Sequence, residues 1–351
     1  MKKILALLLT LCMLAALVAC GAEPATTVPT DGTTTEPAAS AESTADTTAS
    51  TAAEKTPASY SVVTLKGPTG MGLASLMDKA AKGETTNTYS FTLAGDPTAV
   101  SASVIKGEVD VACVPVNLAS VLYTKTNGAY VCAAVNTLGV LHILENGDSV
   151  QSIADLAGKT LYATGLGATP EYILNYILEK NGLTDKVTVE YKTEHSELAA
   201  LLASGDVKLA MLPEPNVTSA MMQNPNLRLA LDLTAEWDKV SDTSAVQGCV
   251  IVKKTAIEAN PDAFADFLAD YAASVAFVNA DVEDAAALCE TYGIVPKAAV
   301  AKRAYPNCNI VFVTGAEMKT ALSAFLGVLY DANPASIGGA LPADDFYCGA
   351  E

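Results

Sequence analysis

Arginine is almost missing from this chain: Arg228 and Arg303 are the only two among 351 residues. Neither lies near a turn expected to face a ligand, so a forked guanidinium gripping a carboxylate is not the binding device. Positive charge is scarce in general. Setting aside Lys2 and Lys3 leaves 19 basic against 39 acidic residues, a formal charge of −20. That balance opposes a phosphate-backbone partner, and no nucleic acid is expected. Histidine is limited to His142 and His195. Neither sits in a nucleophile signature such as G-x-S-x-G, and H-E-x-x-H does not occur. His195, in the polar stretch "TEHSE", reads as a surface residue, and His142 as a structural one. No C-x-x-C spacing joins the cysteines, which opposes a zinc site; no metal and no cofactor are expected. With no visible catalytic machinery, the chain is read as a non-enzyme.

What is present begins with a leader, "MKKILALLLTLCMLAALVAC". Lys2 and Lys3 precede an apolar run, Ile4 to Ala19, that is short for a membrane span and suits a secretion signal. No second run in the chain is long enough to span a bilayer. The stretch Leu17, Val18, Ala19, Cys20 resembles a bacterial lipobox, with an ordinary signal peptide cut nearby as the plainer alternative. On the lipobox reading residues 1–19 are removed and Cys20 is lipidated. The protein is then anchored on the extracytoplasmic face of the bacterial cell membrane. Residues 21–58 are dominated by Thr, Ala, Pro, Ser and Glu, too little apolar surface to offset ordering entropy. With Cys20 they form an expected tether, residues 20–58, whose flexible part would reach ~30–37 Å root-mean-square.

The body, 59–351, repeats itself at an offset of 98 residues. "KGEVDVACVPVN" (106–117) is echoed by "SGDVKLAMLPEP" (204–215), and "YSFTL" (89–93) by "VTVEY" (187–191). The same offset pairs "KGPTGMGL" (66–73) with "TGLGATPE" (164–171), and "AYVCAAV" with "LRLALDL". Four blocks in phase without a gap predict two similar lobes. Within each, strands alternate with helices, so the fold is α/β, each lobe a mainly parallel sheet flanked by helices. Two segments, 136–147 and 244–254, cross between the lobes and make a hinge. The expected divisions are 59–140 for the first part of lobe one, 141–245 for lobe two, and 246–351 for the rest of lobe one. Asp96-Pro97 and Thr169-Pro170 place an N-cap before a first-turn proline. Six cysteines follow Cys20. Buried thiols and disulfides, Cys308 with Cys348 being one candidate pair, both remain open.

In open α/β sheets ligands bind beyond the carboxyl ends of the strands, where helix N-termini point. That rule selects Thr69, Gly70, Met71, Asp96 and Asn117 on one wall of an interlobe cleft. On the other it selects Gly167, Ala168, Thr169, Glu214, Pro215 and Asn216. Each has a bland alternative: tight-turn glycines, a solvated Glu214, an Asn117 that only caps its helix. A dinucleotide fingerprint at Gly165 and Gly167 is opposed by Pro170, which stands where close helix–strand packing needs a small residue. Tyr162, Tyr172, Tyr191 and Trp237 offer stacking surfaces or plain packing. Together these features favour a neutral or weakly charged organic ligand, or a small oxyanion held by N–H groups and hydroxyls.

Several stretches resemble a known family. They are "KGPTGMGLASLMDKA", "KGEVDVACVPVNLASVLY", "NTLGVLHILENGDSVQSIADLAGKT", "GLGATPEYILNYILEKNGL" and "LASGDVKLAMLPEPNVTSAM", with the tail "NPDAFADFLADYAASVAFVNAD". They are similar to lipoprotein solute-binding components of ABC importers, in the group of nitrate, sulfonate, taurine and thiamine-pyrimidine-precursor binders. The resemblance covers nearly all of 59–351. It implies a two-lobed periplasmic-binding fold of the second topological type, a monomer that closes over one small molecule and docks on an ABC permease. Binding positions carry over only as the strand-end turns above. Pyrimidine-precursor synthases of this fold carry a cysteine-rich iron-associated run absent here, and the menaquinone-pathway relatives are cytoplasmic, contrary to the leader. A lipoprotein that reports its ligand to a membrane sensor remains the second reading.

Overall fold

Unbroken apolar runs, such as Val111 to Val114 and the β-branched Val250 to Val252, suit strands buried on both faces, and they lie at the centre of a sheet. A computed structural model describes residues 56–350. The expected leader, Cys20 and nearly all of the tether fall outside the described residues. The first sheet contains β1 (Ser59–Leu65), β2 (Thr88–Ala94), β3 (Val111–Pro115), β4 (Tyr130–Thr137), β10 (Gly248–Lys253) and β11 (Ile310–Val313). Their order is β11-β4-β10-β3-β1-β2. The second contains β5 (Leu141–Glu145), β6 (Thr160–Thr164), β7 (Thr188–Lys192), β8 (Leu209–Pro213) and β9 (Arg228–Asp232). Their order is β7-β6-β8-β5-β9. Laid over one another, β1, β2, β3 and β4 correspond to β6, β7, β8 and β9. The period survives in the starts of two of these pairs: Val111 and Leu209, and Tyr130 and Arg228, stand 98 positions apart.

Both sheets are mixed, and the crossings explain why. β4 ends at Thr137 and β5 begins at Leu141. So short a link gives the chain no room to travel to the far end of the next sheet. β5 therefore starts at the shared end and runs antiparallel to β8 and β9. After the return crossing, β10 likewise enters at Gly248, opposite Pro115 and Thr137, and runs antiparallel to β3 and β4. Each crossing strand is thus wedged into the middle of the sheet that it joins.

Helix starts follow the expected chemistry with two shifts. Asp96 caps α3 (Pro97–Ile105), accepting the N–H groups of Thr98 at 2.8 Å and Ala99 at 3.3 Å. In α5 (Thr169–Lys180) the cap is Ala168, so Thr169 is the first helical residue and Pro170 the second. Asn117 is likewise inside α4 (Val116–Lys125), whose cap position is Pro115. Neither Thr169 nor Asn117 therefore caps its helix, and their side chains are left to act elsewhere. Gly205, left-handed at φ 89°, ends α6 (His195–Ser204).

The long C-terminal helices each bury one apolar face. α10 (Pro261–Ala280) lays Phe264, Phe267, Tyr271, Val275 and Val278 against the first sheet and its helix-borne Met71 and Leu76. α13 (Gly315–Ala332) buries Met318, Leu322, Phe325, Leu326 and Leu329. Trp237, on α8 (Leu233–Asp238), is fully buried with its ring 5.2 Å from Phe325 and 4.8 Å from Tyr176. It is a packing residue and not a stacking platform, and it couples the C-terminal helix to the second lobe. Five cysteines, from Cys113 to Cys308, are buried and Cys348 is half-buried; no disulfide joins the described cysteines. Cys308 instead contacts the Met71 sulfur at 3.8 Å. Burial pushes the thiols of Cys113 and Cys289 up to about 11, so both stay protonated at neutral pH.

Candidate ligand cleft

Because both sets of strands end toward the crossings, their terminal residues face one another across a shared cavity of about 120 Å³. One wall carries Lys66, Pro68 and Thr69 after β1, with Pro115 and Thr137 at the ends of β3 and β4. The facing wall carries Pro170, His195, Glu214 and Asn216. Val140 and Gln247, one from each crossing, line it as well. A larger hollow of about 590 Å³ lies between Val131, Lys254 and Lys319. It sits at the opposite ends of β4 and β10, where strand-end chemistry does not converge.

Several polar groups in the cleft have their backbone engaged and their side chains unengaged. The Gln247 N–H donates to the Thr137 carbonyl at 3.0 Å, and its own carbonyl accepts the Val116 N–H at 3.2 Å. Its side chain is 8% exposed, and among the described residues the amide has no protein partner. Asn216, first residue of α7 (Asn216–Gln223), also presents an unpartnered amide. An amide at a cavity wall with open donor and acceptor capacity can serve a bound solute, and both are suited to that role. Lys66 is exposed and forms no ion pair among the described residues.

Glu214 and His195 are the titratable groups of the second wall. Glu214 is 1% exposed. It accepts the Thr218 N–H at 3.1 Å and the Thr218 hydroxyl at 3.0 Å, which places a carboxylate at the N-terminus of α7. Asn307, from the first lobe's C-terminal part, donates to it at 3.4 Å. Burial raises the Glu214 pKa, and the Thr218 and Asn307 bonds oppose that rise. His195 opens α6 and places Nδ1 2.6 Å from the Thr164 hydroxyl. Burial holds its pKa down to about 4, so the ring is neutral at pH 7. It is half-buried in the cleft, not a surface residue. Among the described residues no group of three or more His, Cys, Asp or Glu is placed to hold a metal ion.

The strand-end residues divide into three groups. Thr69, Glu214 and Asn216 line the cavity. Asn117 and Thr169 meet each other instead: the Thr169 hydroxyl donates to Asn117 Oδ1 at 3.0 Å, and Asn117 Nδ2 donates to the carbonyls of Gly167 and Ser336, each at 3.3 Å. Both side chains are buried, so they clasp the lobes together. The others face elsewhere. Gly70 turns inward, where a Cβ would stand 2.6 Å from the Leu65 carbonyl, and Met71 is fully buried. Asp96 is an exposed cap. Gly167 uses its N–H on the Glu171 carboxylate at 2.5 Å, Ala168 donates to the Gly165 carbonyl, and Pro215 is buried facing Gly67. Lys66, Thr137, His195 and Gln247 are lining residues that the sequence reading passed over. His195 was within reach of it: the 98-residue echo of Asp96 is Glu194, its immediate neighbour.

Residues 91–285 match the family described as NMT1/THI5 like. The matched span holds the whole second sheet, both crossings and every lining residue from Pro115 to Gln247. No curated protein matches the sequence. Among solved structures the chain is similar to an ABC transporter protein from Parabacteroides distasonis, at 24% identity and a TM-score of 0.68, covering 82% of this chain and 98% of that one. It is also similar to the periplasmic aliphatic sulphonate binding protein SsuA from Escherichia coli, at 17% identity and 0.65, covering 81% and 91%. A third is the alkanesulfonate-binding protein SsuA from Xanthomonas axonopodis pv. citri bound to MOPS, at 16% identity and 0.61, covering 83% and 96%. At these identities the likeness establishes a shared two-lobed fold. With the family match spanning more than half of its length, the chain belongs to the NMT1/THI5-like family.

Proposed function

We propose that this protein is the solute-binding component of an ABC importer, capturing a small organic or oxyanion solute between its lobes and presenting the closed form to a permease. One observation carries the reading: Gln247, Asn216 and His195 bring hydrogen-bonding groups without protein partners among the described residues to a single cavity between the two sheets. The family match and the names of the structural neighbours support the transport assignment. Sulfonates, nitrate and pyrimidine precursors are the solute classes to examine. The carrier performs no chemistry on its solute, acts as a monomer, and is held on the extracytoplasmic face of the membrane by lipid on Cys20. Solute favours the closed state by its greater affinity for that state, and the permease reads the closure.

The test is a thermal-shift screen of the full chain against methanesulfonate, taurine, nitrate and aminopyrimidines. A solute at 100 times its dissociation constant adds ~2.7 kcal/mol to stability, enough to raise the melting temperature by several degrees. The solute should be recovered unchanged. Failure of every class to shift the melt would overturn the proposal, and recovery of a converted product would return an enzyme reading.

A further inference from the structure

We infer that His195 is a neutral hydrogen-bond donor to the bound solute, its Nε2–H made available by the Thr164 hydroxyl, so that the cleft selects solutes that present an acceptor atom. The inference rests on the carrier reading and goes beyond it by naming a selecting residue and the side of the hydrogen bond that the solute must supply.

Thr164, the last residue of β6, is fully buried. Its hydroxyl lies 2.6 Å from His195 Nδ1 and, among the described residues, has no other polar partner. That contact can form in two ways. Were Nδ1–H the donor, the hydroxyl hydrogen would be left without an acceptor in a buried site. With the hydroxyl donating to Nδ1, only an oxygen lone pair goes unused, which is the smaller penalty. Nδ1 is therefore the acceptor, and the single proton of a neutral imidazole resides on Nε2. An imidazolium would again strand the hydroxyl hydrogen, and burial opposes it independently. Nε2 has no protein partner among the described residues, in a ring that lines the cavity.

The neighbouring groups point the same way. Lys66 and Thr69 line the facing wall, and the Gln247 amide reaches the cavity from the return crossing. The Glu214 carboxyl, which could attract a cationic solute, is already engaged by Thr218 and Asn307. A solute with a sulfonyl, nitro or carbonyl oxygen can accept from His195 and from the amides. An alkylammonium, which only donates, leaves Nε2–H unmatched.

The chain has only two histidines, so long-range proton–nitrogen NMR of the uniformly labelled full chain reads this state directly, with His195→Asn assigning the signal. At pH 7 His195 should show the Nε2–H tautomer, and Thr164→Val should abolish that preference. Methanesulfonate or nitrate should move the His195 Nε2 resonance, methylammonium should not, and His195→Phe should weaken binding of the shifting solute at least tenfold by calorimetry. An Nδ1–H tautomer or an imidazolium at pH 7 overturns the inference. So does an acceptor solute that raises the melting temperature yet leaves the His195 signal in place; the carrier reading survives that result. If no solute binds, the carrier reading falls and the donor role falls with it, whatever the tautomer.

Discussion

Glu214 shows how one side chain ties local chemistry to the cleft. Its carboxyl terminates α7 through Thr218, yet burial lifts its pKa in the folded state. A carboxyl with a raised folded pKa contributes stability below its unfolded value, near 4.3, and loses that contribution as pH rises through the folded value. Urea denaturation between pH 4 and pH 8 should therefore show the native protein losing stability relative to Glu214→Gln as pH rises, because the variant keeps an acceptor for Thr218 without a charge. A parallel pH dependence in the two proteins would show that the buried charge is compensated. Gly248 makes a steric counterpart. A Cβ there would stand 2.7 Å from Asn136 Oδ1 and 2.8 Å from Thr69 Cγ2. Gly248→Ala should cost about 1–3 kcal/mol in the same assay, by forcing apart residues at the cleft edge.

At the level of elements, α4 and α5 meet through Asn117 and Thr169. In the sequence both are strand-end residues on opposite walls, Asn117 with capping as its alternative role and Thr169 at an expected cap position. The actual start of each helix lies one or two residues earlier, which frees the two side chains to join the lobes. Thr169→Ala with Asn117→Ala should weaken solute binding with little loss of fold. Small-angle scattering of the solute-free protein should show a larger radius of gyration, and a double-mutant cycle should give a coupling of ~0.5–3 kcal/mol. Unchanged affinity together with unchanged scattering would remove the clasp from the binding cycle.

Over the whole molecule, α13 and the segment before the return crossing both pack on α8 of the second lobe. Trp237 is the only tryptophan in the chain; it packs on Phe325, and its Nε1 donates to the carbonyl of Thr243, just before the return crossing, at 2.5 Å. Any solute that changes the lobe arrangement should alter tryptophan fluorescence, whereas a solute bound outside the cleft should not. Phe325→Ala should destabilise the fold by about 3–5 kcal/mol, measured by denaturant unfolding, since it empties the centre of that contact. At the N-terminus, Cys20→Ser should release the protein from membrane fractions; retention would argue against lipid anchoring.

By itself, the sequence determined the duplication, the α/β alternation and the ends of strands as the place to look, because these depend on spacing and on residue types within one lobe. Thr69, Glu214 and Asn216 were legible for that reason. Only the tertiary structure decided that β5 and β10 run against their neighbours, that Gly70 and Met71 turn into the core, and that His195 and Gln247 face the cavity. Such facts depend on the rotation of short helices and on contacts between segments far apart in the chain. Local periodicity carries no record of which partner, across the gap between two lobes, a side chain will meet.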